Sequence, residues 1–189
     1  MLTILENPSV RRLAKPIDLR TYHWMGEQGL VDKQTELLRG VIVEKMSKSP
    51  LHENLVDELH ERLSAIVGPG YWTRKEAPLT LADSEPEPDI TVVPGQRADY
   101  RFTHPKTACL AIEVAISSTE IDREKAAIYA EAGISEYWLV IPSSGTVEVN
   151  TGPMNGVYAQ KDVFQLGQSV TSVQFPAFTV KLDEFFARN

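Results

Sequence analysis

The sequence contains a single cysteine, Cys109, among its 189 residues. One cysteine forms no disulfide within the chain and offers a metal only one thiolate, which excludes a disulfide-rich secreted fold and a cysteine-rich zinc site. Long apolar runs are also missing, since no window reaches the roughly 18–20 apolar residues that span a membrane, and residues 1–5 are too short for a signal peptide. We therefore expect a soluble, cytoplasmic protein with no membrane partner.

Several catalytic motifs are absent as well. The chain has no Gly-x-Ser-x-Gly sequence, no glycine-rich phosphate loop and no His-Glu-x-x-His helix, so a nucleophilic hydrolase, a phosphate-loop enzyme and a zinc protease are not indicated. Positive charge is scarce, because 19 lysines and arginines stand against 26 acids and the net charge is −7. This charge argues against a protein that coats nucleic acid, and any such binding would need a local basic face or a charge-neutralising metal.

The most informative stretch is residues 109–141, where two apolar runs flank a polar turn and an amphipathic segment. This order predicts strand, helix and strand, the β-α-β unit of an α/β domain. Glu113 interrupts the first apolar run. A buried carboxylate without a partner is costly, so we expect Glu113 to lie at the open end of its strand or to have a strong partner.

Asp89 is a candidate partner for Glu113, because it begins another apolar strand at residues 89–93. Two carboxylates at the ends of adjacent strands offer the oxygen ligands that Mg²⁺ prefers. Without a cation, two such anions would raise the pKa of one of them. The alternative is that Asp89 only caps its loop and Glu113 faces solvent from an edge strand, and spacing alone does not decide between the two.

Three more residues are candidates for the same site. Lys125 lies in the first turns of the helix after the Glu113 strand and could point back to the acids, or could be an ordinary solvated lysine. Glu36 belongs to a predicted hairpin. His52 lies in the first turn of a helix predicted at residues 50–67, and a histidine near a helix N-terminus should be mostly neutral. Both could complete a metal shell or orient water, or be structural.

Together these segments resemble one family, the Uma family of restriction endonuclease homologues within the PD-(D/E)XK superfamily. The likeness covers roughly residues 17–186. It is carried by Glu-Pro-Asp-Ile-Thr-Val-Val from residue 87, Ala-Ile-Glu-Val-Ala-Ile-Ser-Ser from residue 111, Asp-Arg-Glu-Lys from residue 122, and Tyr-Ala-Glu-Ala-Gly-Ile-Ser-Glu-Tyr-Trp-Leu-Val from residue 129.

The resemblance implies an α/β fold with a restriction-endonuclease-like core. We expect a central mixed β-sheet flanked by the helices at residues 50–67 and 120–132, with extra C-terminal strands that extend or cover one edge. The chain would form a single domain at residues 17–189, preceded by an extended N-terminal arm at residues 1–16.

The resemblance also implies roles for individual residues. Asp89 corresponds to the aspartate of the superfamily motif, and Glu113 to its second acid. Ala115 stands where the motif has lysine, and Lys125 on the next helix is the residue expected to replace it. The ion would be Mg²⁺, or Mn²⁺, held by Asp89, Glu113 and the Val114 carbonyl.

The implied function is a Mg²⁺-dependent endonuclease that hydrolyses DNA phosphodiester bonds. Glu36 would be an additional acid from the first strand, and His52 a helix residue that faces the site. A homodimer is expected, because cutting both strands needs two active sites. Two other functions stay open: a non-catalytic interaction module that keeps the fold, favoured by the acidic charge and Ala115, and a metal-dependent hydrolase of small phosphoesters.

Overall fold

The computed structural model describes residues 8–187. Within this range no helix is both long and apolar enough to cross a membrane. The α-helices are α1 (Pro8–Leu13), α2 (Leu19–Glu27), α3 (Pro50–Ile66), α4 (Thr119–Glu131) and α5 (Leu182–Ala187). The strands are β1 (Thr35–Leu38), β2 (Val41–Glu44), β3 (Tyr71–Lys75), β4 (Ile90–Pro94), β5 (Leu110–Val114), β6 (Glu136–Ile141), β7 (Thr146–Met154), β8 (Val157–Phe164), β9 (Ser169–Thr171) and β10 (Thr179–Lys181).

A six-stranded sheet in the order β3-β4-β5-β6-β7-β8 forms the centre of the protein. Strands β5 and β6 run parallel, while the other neighbours run antiparallel. Parallel neighbours need a crossover connection, and α4 supplies it. The prediction of a mixed sheet flanked by helices is therefore confirmed.

Both faces of the sheet are covered, so β5 is buried along its whole length. Side chains alternate across a strand, which sends Leu110 and Ile112 into the core beneath α3 and Ala111 and Ala115 into the core beneath α4. Glu113 has the same parity as Ala111 and therefore faces α4. The alternative of a solvent-facing Glu113 on an edge strand is wrong.

Local sequence explains where α3 begins. The Ser49 side chain accepts a hydrogen bond from the backbone N–H of His52, and Pro50 occupies the first turn. The apolar residues that recur at the helical period are buried against the sheet, namely Leu55, Val56, Leu59 and Leu63. This capping places the His52 side chain at the end of the helix that faces the start of β4.

Two regions differ from the sequence prediction. Residues 1–7 of the predicted arm lie outside the described residues, and Pro8–Leu13 forms a short helix instead of extended chain. Strands β7 and β8 extend the sheet as expected, but β9 and β10 form a separate ribbon. The ribbon packs on the α3 face through Val170, Phe178 and Val180.

Glu136, the first residue of β6, ties this ribbon to the sheet. Its fully buried carboxylate accepts hydrogen bonds from the Trp138 Nε1 at 2.7 Å, the Ser172 hydroxyl at 2.7 Å, and the backbone N–H groups of Val173 at 3.1 Å and Gln174 at 2.9 Å. These donors replace the water lost on burial.

Replacing Glu136 with alanine is expected to lower the free energy of unfolding by roughly 3 kcal/mol, because the buried Trp138 and Ser172 donors and two partly buried backbone N–H groups lose their acceptor. Urea unfolding monitored by tryptophan fluorescence measures this change. The matched control is Glu61→Ala, at an exposed position of α3, which should shift stability by less than about 0.5 kcal/mol. Equal stabilities of the two variants would contradict a structural role of Glu136.

Candidate active site

A cavity of about 490 Å³ lies where the β1–β2 hairpin, the first turn of α3, the start of β4, the end of β5 and the first turns of α4 meet. Val114 is part of its wall. The side chains that the sequence analysis selects all line it, namely Glu36, His52, Asp89, Glu113 and Lys125.

Asp89 and Glu113 lie side by side at this end of the sheet. The antiparallel register pairs Ile90 with Ile112, so Asp89 lies directly opposite Glu113 on the neighbouring strand. The Val114 backbone N–H donates to Asp89 Oδ2 at 2.8 Å, and the Asp89 N–H lies 3.4 Å from Glu113 Oε2. Both side chains are buried, so the two carboxylates share a small volume from which bulk water is largely excluded.

Lys125 reaches this volume from α4. Its Nζ lies 3.0 Å from Glu113 Oε1, 3.0 Å from Glu36 Oε2 and 3.4 Å from Asp122 Oδ1. The side chain is buried, so the reading of Lys125 as a solvated surface lysine is wrong. Burial by itself would lower the pKa of Lys125, but the charges of the three acids outweigh it and hold that pKa well above its ordinary value.

Burial and neighbouring charges perturb the pKa of Glu113. Burial raises the pKa of Glu113 well above its ordinary value, the charge of Lys125 opposes this, and the charges of Asp122, Asp89 and Glu36 add to it. Burial likewise raises the pKa of Asp122. Glu36, Glu113 and Asp122 thus surround the Lys125 ammonium, and Asp89 lies beside Glu113, a local excess of negative charge that favours protonation or a bound cation.

Glu36 connects the β1–β2 hairpin to the cavity. Its Oε1 accepts a hydrogen bond from the Glu87 N–H at 2.8 Å, while Oε2 faces the Lys125 ammonium. One oxygen therefore anchors the loop that leads into Asp89, and the other positions the lysine.

His52 contacts Asp89 from the first turn of α3. Its Nε2 lies 3.1 Å from Asp89 Oδ1. Burial would lower the pKa of His52, but the hydrogen bond and charge of Asp89 outweigh burial and raise it above its ordinary value. The Asp89 carboxylate affects the pKa of His52 more than the helix terminus does, because it is in direct contact with the imidazole ring.

Sequence reasoning missed three residues of this site. Asp122 is one turn before Lys125 on the same face of α4, a spacing that identifies it in retrospect. Tyr129 donates its hydroxyl to Glu113 Oε1 at 2.7 Å, but its helical spacing is that of a core residue. Glu76 directly follows β3, and its N–H donates to the Asp89 carbonyl at 2.9 Å; an acid directly after a strand was the available signal.

The donor set of the cavity fits a metal ion. Asp89 and Glu113 present carboxylate oxygens, which Mg²⁺ and Mn²⁺ accept, and the surplus of buried acids over Lys125 leaves negative charge that a cation would neutralise. One ligand atom each from His52, Glu76 and Asp89 also lie within 4.8 Å of one another. The chain therefore has a cluster of side chains at this position that could hold a cation.

The sheet order, the crossover helix and the acids at the ends of β4 and β5 define a protein with a restriction-endonuclease-like fold. The family model Uma2, described as "Putative restriction endonuclease", matches residues 29–183. Because this match covers most of the chain, the protein belongs to the Uma2 family.

A solved structure supports the fold independently. It is a "putative nuclease belonging to DUF820" from Anabaena variabilis, with a TM-score of 0.72 and 20% sequence identity over 91% of this chain and 98% of that one. At this identity the likeness shows the fold. No curated protein matches the chain.

The electrostatics of the cavity predict how Glu113 titrates. Its pKa should lie above the ordinary value of 4.5, and Lys125→Ala should raise it further, since the ammonium is the group that lowers it. Because the folded-state pKa is raised, the stability contributed by this carboxyl is largest at low pH and is lost as pH rises through the raised value.

Carbon-13 NMR of glutamate side-chain carboxyls measures this titration. The control is Lys181→Ala, which removes a surface lysine paired with Glu184 and should leave the Glu113 signal unchanged. A lower Glu113 pKa in Lys125→Ala would contradict the ion pair.

Proposed function

We propose that this protein is a Mg²⁺-dependent endonuclease that hydrolyses DNA phosphodiester bonds. The observation that supports this most directly is the convergence of Asp89, Glu113 and Lys125 in one buried cavity. Membership of the Uma2 family and the nuclease-like fold agree with it. Two acids can hold a metal ion that activates water, and a lysine can stabilise the negative charge that develops on a phosphate during hydrolysis.

Asp89 and Glu113 are proposed to hold the ion, together with the carbonyl oxygen of Val114. When bound, the ion supplies positive charge next to the scissile phosphate and an acidified water. Mn²⁺ has the same preference for carboxylate oxygens and is expected to substitute. The short link between Asp89 and the Val114 N–H keeps the first acid aligned with β5.

Lys125 is proposed as the catalytic cation of the chain itself. Its ammonium is a point charge with three donors, close enough to Glu113 to meet a phosphate oxygen or the attacking water beside that acid. Glu36 and Asp122 are positioning residues, because they hold the ammonium in place. His52 is assigned the same role toward Asp89, whose Oδ1 it contacts.

Duplex DNA has two strands, and the convergence of Asp89, Glu113 and Lys125 occurs at one cavity in the part of this chain that the structure describes. A homodimer with paired sites is therefore proposed for double-strand cleavage. A cytoplasmic location is proposed with it, where the lone Cys109 stays reduced. The cation at the site would also compensate locally for the net charge of −7, which otherwise repels DNA.

Lys125→Ala is expected to reduce cleavage of plasmid DNA by at least about 100-fold, since a charge aimed at the reacting phosphate is lost. Binding of Mn²⁺, measured by calorimetry, should stay largely intact because the carboxylates remain. Lys161→Ala, which removes a lysine paired with Glu148 outside the cavity, serves as the control and should cleave normally. A folded Lys125→Ala protein that cuts at the wild-type rate would refute the assignment of this lysine.

Metal titration separates the nuclease from a non-catalytic module. The proposed enzyme should bind Mg²⁺ with a heat that disappears in Asp89→Ala, because this substitution removes a ligand. A scaffold without a site should give no heat that depends on Asp89. Competition between plasmid DNA and a chromogenic phosphodiester then distinguishes a DNA endonuclease from a hydrolase of small phosphoesters.

A further inference from the structure

A second group of metal-ligand atoms lies beside the proposed Mg²⁺ site. His52, Glu76 and Asp89 come from three different elements, the first turn of α3, the end of β3 and the start of β4, and their ligand atoms lie within 4.8 Å of one another. Within the described residues this is the only group of histidine, cysteine and acidic side chains with that spacing. Glu113 is not part of it.

The backbone places Glu76 in this group. Strand β3 pairs with β4 up to Lys75 and Ile90, and Glu76 then adopts a left-handed conformation with a φ of 47°. Such a conformation is unfavourable for a residue with a side chain, by roughly 1 kcal/mol. The Glu76 N–H still donates to the Asp89 carbonyl at 2.9 Å, so the turn keeps the two acids in fixed register.

The two oxygens of Asp89 face different neighbours. Oδ2 accepts from the Val114 N–H on the β5 side, and Oδ1 lies 3.1 Å from His52 Nε2 on the α3 side. A carboxylate with its oxygens directed to two sides can bridge two cations, an arrangement found in two-metal phosphodiesterases.

His52 has unused capacity for a ligand. The residue is nine-tenths buried, it lines the cavity, and its Nδ1 is buried with no hydrogen-bond partner in the described part of the chain. Glu76 Oε1 lies 3.0 Å from the Nζ of Lys48. The Lys48 side chain is about one-third exposed, so its ammonium can leave for solvent when a divalent ion takes its place.

We propose that His52, Glu76 and Asp89 form a second divalent-cation site that shares Asp89 with the proposed Mg²⁺ site and selects Mn²⁺ over Mg²⁺. The selectivity follows from the imidazole nitrogen, because Mg²⁺ is bound almost entirely by oxygen ligands, whereas Mn²⁺ accepts a nitrogen ligand in addition to carboxylates. Only the catalytic role of the shared Asp89 carboxylate rests on the proposed function. Binding of a cation to these three residues can be measured without any cleavage.

Pulsed electron paramagnetic resonance of Mn²⁺ added to the whole protein tests the site directly. A manganese ion bound to His52 should show coupling to an imidazole nitrogen, and this coupling should be lost in His52→Gln. His60→Gln is the matched control, since His60 also belongs to α3 but does not line the cavity; it should retain the coupling. Absence of nitrogen coupling in the wild-type protein would overturn the proposal.

Stoichiometry and selectivity give the second readout. Calorimetry should find two Mn²⁺ ions bound per chain. Glu76→Gln should lower the Mn²⁺ affinity of one of the two sites by roughly tenfold or more while leaving Mg²⁺ binding unchanged. The control is Glu61→Gln on the exposed face of α3. If folded Glu76→Gln bound two Mn²⁺ ions with the same affinities as the wild-type protein, Glu76 would be ruled out as a ligand.

The outcomes separate this inference from the nuclease proposal. Nitrogen-coupled Mn²⁺ in a protein that does not cut DNA would support the second site and count against the endonuclease. Cleavage that depends on Asp89, Glu113 and Lys125, without any nitrogen coupling, would support the endonuclease and overturn the second site.

Discussion

A buried carboxylate needs an opposite charge or hydrogen-bond donors nearby, and the structure around Glu113 depends on supplying them. It lies in a strand that is covered on both faces, where bulk water cannot solvate it. The Lys125 ammonium at 3.0 Å and the Tyr129 hydroxyl at 2.7 Å supply the compensation from α4. The crossover helix is therefore both the topological link between β5 and β6 and the source of the charge that makes the cavity possible.

This arrangement explains how a site with alanine at position 115 keeps a lysine. Ala115 is fully buried among apolar side chains beneath α4, so the strand itself offers no place for a long charged residue. Lys125 enters the same space from the opposite layer, and its spacing of three residues from Asp122 places both on one helical face. The cavity therefore contains an ammonium group although position 115 has no lysine.

The cavity nevertheless remains strongly anionic. Lys125 neutralises only part of the charge of Glu36, Asp89, Glu113 and Asp122, and burial together with the charges of Asp122, Asp89 and Glu36 raises the pKa of Glu113. A buried acid without an opposite charge is costly, and a bound cation is one means of supplying that charge. The negative charge of the cavity attracts a metal cation, whereas the net negative charge of the whole protein repels DNA.

The main helices and strands, and the principal side chains of the candidate site, could be predicted from the sequence alone. Periodicity located α3, α4 and the strands around them, because burial of one face imposes a repeat that is visible in the residues. An acid inside an apolar run marked Glu113 for the same reason. The turn that carries Glu76, the hydroxyl of Tyr129 and the packing of the β9–β10 ribbon left no comparable periodic signal.

Which charged side chains come into contact could not be predicted without the three-dimensional packing. Glu36, Asp89, Glu113 and Lys125 are far apart along the chain, and their distances depend on strand register and on the layer from which each side chain enters. Those quantities are set by the packing of the whole core, which no local stretch encodes. The choice between a solvated and a buried Lys125, open in the sequence, was settled by the position of α4 over β5.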